Sequence, residues 1–308
     1  MFMELVVVGY GNMAKAILGG LLKQSKDVLG ITKIVITGRE PQKIESWVAN
    51  IIQTYRSEFL HDITYESTCN IECNNKMVLL ACKPYALRSF IFHGRAHIVY
   101  SVLAGINANI LHSYIQSYNY ALIMPNIGAQ YNLSSSAVLW QQHGVKSQSI
   151  KEAGKVLDFI IDNKSMREAQ EKNHSHIQNQ IKHFVMSFGS CEFISNEQEL
   201  LASIATNGSS PAILALVAQG IINAGVQQGL NLEISQKLVQ KTFEGIAELL
   251  KEKSPQEIKD LVTSPGGTTA DALLHCDEKS VQGVITRACV KAVEKAKAIH
   301  CRQIEDGE

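Results

Sequence analysis

A chain of 308 residues, 45% of them hydrophobic, is long enough for two domains with separate cores. Lys+Arg and Asp+Glu both total 29, so the net charge is zero and there is neither the basic excess nor the basic stripe of a nucleic-acid binder. No apolar run approaches the ~20 residues of a membrane helix, Met1-Phe2-Met3-Glu4 leads directly into a strand-like segment, and the seven scattered cysteines read as reduced thiols. The expectation is a cytoplasmic protein without nucleic-acid or membrane partners.

In chain order, Leu5–Val8, Ile34–Thr37, Met77–Ala81, Ile98–Val102 and Ala121–Met124 are apolar throughout, as strands buried on both faces should be. Helical spacing fills Met13–Gln24, Pro41–Ile52 and Ile106–Ser117 between them. Strand and helix in alternation predict a Rossmann-type doubly wound parallel sheet, with Val138–Trp140 and Cys191–Ile194 as later, shorter strands. Lys146–Gln180 is polar apart from Val156–Ile161 and reads as a surface helix pair or an insertion. From Glu197 the pattern is helical: Glu197–Thr206, Pro211–Gln228, Ile234–Lys253 and Val281–Ile299. Pro211 and Pro255 supply start signals. The predicted organisation is an α/β dinucleotide-binding domain over 1–196, interrupted at about 146–180, and an all-helical domain over 197–308.

The first chemical motif is Gly9-Tyr10-Gly11-Asn12-Met13-Ala14, directly after a strand and before a helix. Gly9 suits the tight turn, Gly11 admits the pyrophosphate, and Ala14 lets the helix pack closely, with phosphate on the helix N-terminus. The second strand ends at Thr37-Gly38-Arg39-Glu40. Arg39 would pair a 2′-phosphate and Glu40 a bare ribose, unless the two are only a solvated pair. Arg39 comes first on the turn, which favours NADPH and leaves NADH as the alternative. Ala81-Cys82-Lys83-Pro84 closes another strand at the cofactor edge, where Lys83 either contacts cofactor or faces solvent.

In the helical half, Thr263-Ser264-Pro265-Gly266-Gly267-Thr268-Thr269 joins two glycines to hydroxyls just before a helix starting near Ala270. It reads as a cradle for a small carboxylate or as a turn with a hydroxyl cap. His93 and His97 have i, i+4 spacing but Gly94 intervenes and no third ligand is near, so no metal site is expected.

Together these segments resemble the pyrroline-5-carboxylate reductase family. The resemblance rests on Gly9–Ile17, Ala81–Pro84, Ser101–Ile106, Met124-Pro125-Asn126, Asn207–Ala212, Ala224-Gly225-Val226 with Gly229-Leu230, and an unchanged Ser-Pro-Gly-Gly-Thr-Thr loop at Ser264–Thr269. It implies hydride transfer from NAD(P)H to the C=N bond of 1-pyrroline-5-carboxylate, giving L-proline. It also implies cofactor contacts from Gly9, Gly11, Asn12, Met13, Ala14, Arg39, Thr68, Cys82, Lys83, Pro84, Ala104, Gly105 and Asn126. The substrate carboxylate would lie on Ser264 and the N–H groups of Gly267 and Thr268, beside Gly266, with Glu252 near it, and Thr269 would meet the imine nitrogen. The family completes its active site with helices exchanged between subunits, which implies an obligate homodimer or an oligomer of dimers.

Ile127-Gly128 in place of Thr-Pro, Asn207 in place of serine and Leu261 in place of a polar residue depart from the pattern, and the polar insertion has no counterpart. Another imine or ketone reductase and a non-catalytic NADPH-binding regulator are the competing readings. The intact loop argues against the regulator.

Overall fold

The computed structural model describes residues 2–142 and 163–305. These form two units, residues 1–208 with 295–308, and residues 209–294. The first carries an eight-stranded sheet: β1 Met3–Val8, β2 Ile31–Thr37, β3 Ile63–Glu66, β5 Met77–Leu80, β7 Arg95–Ser101, β8 Gln116–Met124, β9 Ser134–Gln142 and β10 Gly189–Ile194. Their order is β10-β9-β8-β7-β5-β1-β2-β3, and β4 Asn70–Glu72 pairs with β6 Ile91–His93 in a separate two-stranded sheet. Every pair is parallel except β8 with β9, so the doubly wound expectation holds with one antiparallel step.

The apolar strands have no exposed face. Leu5, Val7, Met77 and Leu79 lie in one core layer, and Val6, Val8, Val78 and Leu80 lie in the other. A strand covered on both sides reads as a continuous apolar run because successive side chains leave opposite faces. Register then aligns the strand ends. Val8 pairs with Thr37 and with Leu80, and Leu80 pairs with Ser101, so β1, β2, β5 and β7 all finish at one edge.

The helices of this unit are α1 Asn12–Leu21, α2 Lys26–Leu29, α3 Glu45–Tyr55, α4 Ala108–Tyr114, α5 Asn163–Met186 and α6 Glu197–Ala202. Three differ from the sequence expectation. Pro41–Ile44 is a 3₁₀ turn before α3, and α4 is short because β8 starts at Gln116. Within the polar stretch expected at about 146–180, residues 143–162 lie outside the described residues. The end of α5, however, is core. Ile177, Ile181, Phe184 and Val185 are buried at helical spacing, and Phe184 stacks on Tyr100 at 3.8 Å between ring centroids.

The second unit is all helical: α7 Ser210–Gln227, α8 Leu232–Leu249, α9 Pro255–Val262, α10 Thr268–Glu278 and most of α11 Val281–Glu305. Pro211 sits in the first turn of α7, and α9 opens on a capping box between Ser254 and Glu257. α7 and α8 form a hairpin in which the Ser235 hydroxyl donates to the Ile222 carbonyl at 3.0 Å. Among its described residues the only buried hydrophobic side chains are Val239 and Ile258, and α7 buries none.

Glu197–Gln227 is long and apolar enough by composition to cross a membrane, which corrects the expectation that no run approaches that length. The stretch is not one helix: a 3₁₀ turn at Ser203–Ala205 separates α6 from α7.

Candidate active site

The aligned ends of β1, β2, β5 and β7 open into a cleft of about 1080 Å³. Crevices at the carboxyl edge of such sheets are where dinucleotides lie. Gly9, Gly11, Asn12 and Met13 line it from the β1–α1 turn, Arg39 from the end of β2, Cys82, Lys83 and Pro84 from the end of β5, and Ala104 from the end of β7.

The β1–α1 turn fits a pyrophosphate. Gly9 has φ +102°, and a Cβ there would fall 2.7 Å from both Cα and N of Cys82, so only glycine lets β1 turn this tightly beside β5. Gly11 is different: a Cβ there meets nothing within 4 Å, which leaves open space over the start of α1. Gly11 is the N-cap and no side chain caps the helix. The first N–H groups of α1 are thus uncommitted donors on the positive end of the helix dipole.

Arg39 is exposed, and no ion pair or hydrogen bond engages its guanidinium among the described residues. Glu40 next to it is ion-paired with Lys43 instead. The arginine is free to meet a 2′-phosphate while the acid is committed elsewhere. Burial pushes the Cys82 thiol up to about 11, so it lines the cleft as a neutral group.

Four expected cofactor residues do not line the cleft. Ala14 is buried behind the turn. The Thr68 hydroxyl is engaged by Asn70, whose N–H donates to it at 3.0 Å, and the neighbouring Cys69 takes its place on the cleft wall. Gly105 lies in the turn after β7. Asn126 accepts from the Gly128 N–H at 2.9 Å, which caps the 3₁₀ turn Ile127–Tyr131. This gives a reason for one departure from the family pattern: a proline at 128 would have no N–H to donate. Ile127 itself faces the cleft.

Sequence reasoning missed three side chains that shape this region. Tyr10 lines the cleft between the two glycines, and its hydroxyl accepts from the Glu40 N–H at 3.2 Å. Ser67 donates to the Arg39 carbonyl at 2.7 Å. Asn207, read only as a departure from serine, is buried and clamps the end of β8 to β9. Its Nδ2 donates to the carbonyls of Met124 at 2.7 Å and Ser135 at 2.8 Å. Its position in the family motif was the only signal available.

In the second unit, the loop Ser264–Thr269 runs from the end of α9 into α10. The helix starts at Thr268, two residues earlier than expected, with Gly267 as N-cap and no side-chain cap. The reading of the loop as a hydroxyl-capped turn therefore does not describe it. One expected donor is corrected: the Gly267 N–H is taken by the Ser264 carbonyl at 3.0 Å. The donors left are the N–H groups at the start of α10 and the hydroxyls of Ser264, Thr268 and Thr269, none of which is hydrogen-bonded among the described residues. The Ser264 Oγ would lie only 2.5 Å from a Cβ at 267, so the absent side chain there makes room for the hydroxyl at the helix mouth. Glu252 is exposed and unpaired among the described residues. No cluster of three metal-ligating side chains occurs among the described residues.

Comparison with known proteins agrees with both units. Residues 197–299 match the family profile described as pyrroline-5-carboxylate reductase dimerisation, and residues 4–105 match one described as NADP oxidoreductase coenzyme F420-dependent. The pyrroline-5-carboxylate reductase of Helicobacter pylori is 34% identical over 291 residues, covering 94% of this chain and 97% of the relative. Among solved structures, the Streptococcus pyogenes 1-pyrroline-5-carboxylate reductase aligns with a TM-score of 0.67 at 23% identity, over 96% of this chain and 98% of that one. The Plasmodium falciparum pyrroline carboxylate reductase with NADP bound aligns at 0.62 and 21%, over 97% and 98%. These two show a shared fold, and the identity to the bacterial relative over nearly the whole of both chains shows more: this chain belongs to the pyrroline-5-carboxylate reductase family.

Proposed function

We propose that this chain catalyses the family's reaction, transfer of a hydride from NAD(P)H to the C=N bond of 1-pyrroline-5-carboxylate to give L-proline, the last step of proline biosynthesis. The observation that carries this reading is the loop Ser264–Thr269, whose three hydroxyls and following helix N-terminus are all uncommitted donors.

The substrate is a cyclic imine bearing a carboxylate. Its nitrogen is basic enough to be protonated in water, and the resulting iminium carbon is a ready hydride acceptor. The bound nicotinamide supplies the hydride; the chain's own task is positioning and exclusion of water. Gly9, Gly11, Asn12 and Met13 hold the pyrophosphate on the N-terminus of α1, and Cys82, Lys83, Pro84 and Ala104 wall the remainder of the dinucleotide. Ala14, Thr68, Gly105 and Asn126 support these walls from behind. Arg39 meets the 2′-phosphate and makes NADPH the preferred cofactor over NADH.

Ser264 and the N–H groups of Thr268 and Thr269 hold the carboxylate, an anion suited to a helix N-terminus, beside Gly266. The Thr269 hydroxyl meets the ring nitrogen. Glu252 attracts the iminium charge. The working form is a homodimer or an assembly of dimers, and its place is the cytoplasm, without nucleic-acid or membrane partners.

The test is a pair of substitutions. Thr269→Ala should lower kcat and kcat/KM together by roughly 5- to 150-fold, about 1–3 kcal/mol. Ser264→Ala should mainly raise the substrate KM. Because neither hydroxyl caps α10, both variants should keep the parent melting temperature. A Thr269→Ala enzyme that melts early yet turns over normally would make the loop only a turn.

A further inference from the structure

The loop that carries Arg39 is held from two neighbouring segments. The ring of Tyr10 lies against Gly38, where a Cβ would fall 2.8 Å from Tyr10 Cε1, and Gly38 has φ +156°. The Tyr10 hydroxyl accepts from the Glu40 N–H at 3.2 Å, and the Ser67 hydroxyl donates to the Arg39 carbonyl at 2.7 Å. The peptide unit after Arg39 is thereby fixed at both its carbonyl and its N–H by hydroxyls from other parts of the chain. Below it, the Thr37 hydroxyl sits 3.0 Å from the Glu66 carbonyl and 3.2 Å from that of Thr68, tying the β2 end to the segment that bears Ser67. Arg39 lines the same cleft as Tyr10, and its guanidinium has no partner among the described residues.

This is more restraint than an exposed loop needs. An arginine on a surface loop loses backbone as well as side-chain freedom when it binds, and fixing its backbone in advance removes the backbone part of that cost. The alternative partner for a ribose, Glu40, is drawn towards Lys43 by the same turn. We infer that Tyr10 and Ser67 are positioning residues for the cofactor's 2′-phosphate: they aim Arg39 and so set the preference for NADPH over NADH. The inference rests on the reading of Arg39 given above.

The experiment uses the full chain and measures calorimetric affinity for NADP⁺ and NAD⁺ in five proteins: parent, Arg39→Ala, Tyr10→Phe, Ser67→Ala and Ser67→Thr. Arg39→Ala should weaken NADP⁺ by roughly 10- to 150-fold with NAD⁺ almost unchanged, the cost of a charged hydrogen bond. Tyr10→Phe keeps the ring and removes the hydroxyl; it and Ser67→Ala should each weaken NADP⁺ by about 2- to 10-fold, again sparing NAD⁺. Ser67→Thr should restore the parent ratio. In the Arg39→Ala background, Tyr10→Phe should have no further effect on NADP⁺, because there is nothing left to aim.

If Arg39→Ala leaves the NADP⁺/NAD⁺ ratio as in the parent, the phosphate reading of Arg39 fails and this inference falls with it. If Arg39→Ala collapses the ratio but Tyr10→Phe and Ser67→Ala do not change it, or weaken both cofactors equally, the positioning role alone is overturned.

Discussion

The two units of this chain answer the same physical problem in opposite ways. The first buries whole strands on both faces, and Leu5, Val7, Val8, Ile34, Leu79 and Ile98 are completely enclosed. The second sets its apolar residues outward, with Leu216 of α7 72% exposed and Leu274 of α10 61% exposed. A single helix carrying Leu214, Leu216, Val217, Ile221 and Val226 in water is costly, since each such side chain gains about 1.5–3 kcal/mol on burial. Five from each of two copies would together gain roughly 15–30 kcal/mol, more than the ~4–15 kcal/mol that association costs. The match of residues 197–299 to a dimerisation profile gives the same answer. The first unit has its core within one chain; the second is completed by another copy.

The largest expected effect comes from testing that contrast directly. A charge on a monomer's solvent-exposed helix face changes stability by about 0.5 kcal/mol or less. Leu216→Asp should instead weaken the dimer by more than about 100-fold in sedimentation equilibrium, because a carboxylate is then buried without a partner. Leu60→Asp in the first unit, at a side chain 60% exposed, should leave assembly and melting unchanged. If both substitutions are silent, the second unit is not held by a partner.

The two glycines of the cofactor turn sharpen the contrast within the first unit. Gly9→Ala places a Cβ against Cys82 at a positive φ, so it should lower the melting temperature and weaken NADPH binding by roughly 10- to 100-fold. Gly11→Ala meets only open space. It should melt like the parent yet still weaken NADPH, because the space it fills is the one proposed for the pyrophosphate. Unchanged affinity in Gly11→Ala would remove the pyrophosphate from this turn.

The smallest effect concerns His97, at the opposite end of β7. Burial is the main cause that lowers its pKa; a hydrogen bond to Gln180 on α5 works against this, while His176 adds to the lowering. A histidine with a depressed folded pKa is neutral in both states above about pH 6.5 and contributes nothing there. As pH falls below that value the unfolded chain takes the proton first, so stability declines until the folded pKa is passed. Melting temperature should therefore fall more steeply between about pH 7 and 5 in the parent than in His97→Gln. Identical slopes would show that partial burial does not hold the His97 pKa down.

Much of this architecture is legible in the sequence where residue type and spacing carry it alone. The β1, β2, β5, β7 and β8 runs are apolar because both faces are covered, and the Gly9–Ala14 and Ser264–Thr269 segments need their residue types at fixed places. What is hidden depends on contacts distant in sequence. The buried face of α5 at Ile177, Ile181 and Phe184 was masked by the polar residues around it. β4 and β6 are three residues each and owe their pairing to each other. The Tyr10–Gly38 contact spans two strands, and the capture of the Gly267 N–H by Ser264 is a matter of loop geometry.

The proposed reaction couples oxidation of NADPH to reduction of the C=N bond of 1-pyrroline-5-carboxylate. Its most direct test is steady-state oxidation of NADPH by the parent chain with 1-pyrroline-5-carboxylate, with proline formation followed in the same sample. Proline should form in step with NADPH consumed, with less efficient turnover when NADH replaces it. Tight NADPH binding with no proline formed would contradict it and leave a dinucleotide-binding protein that does another task.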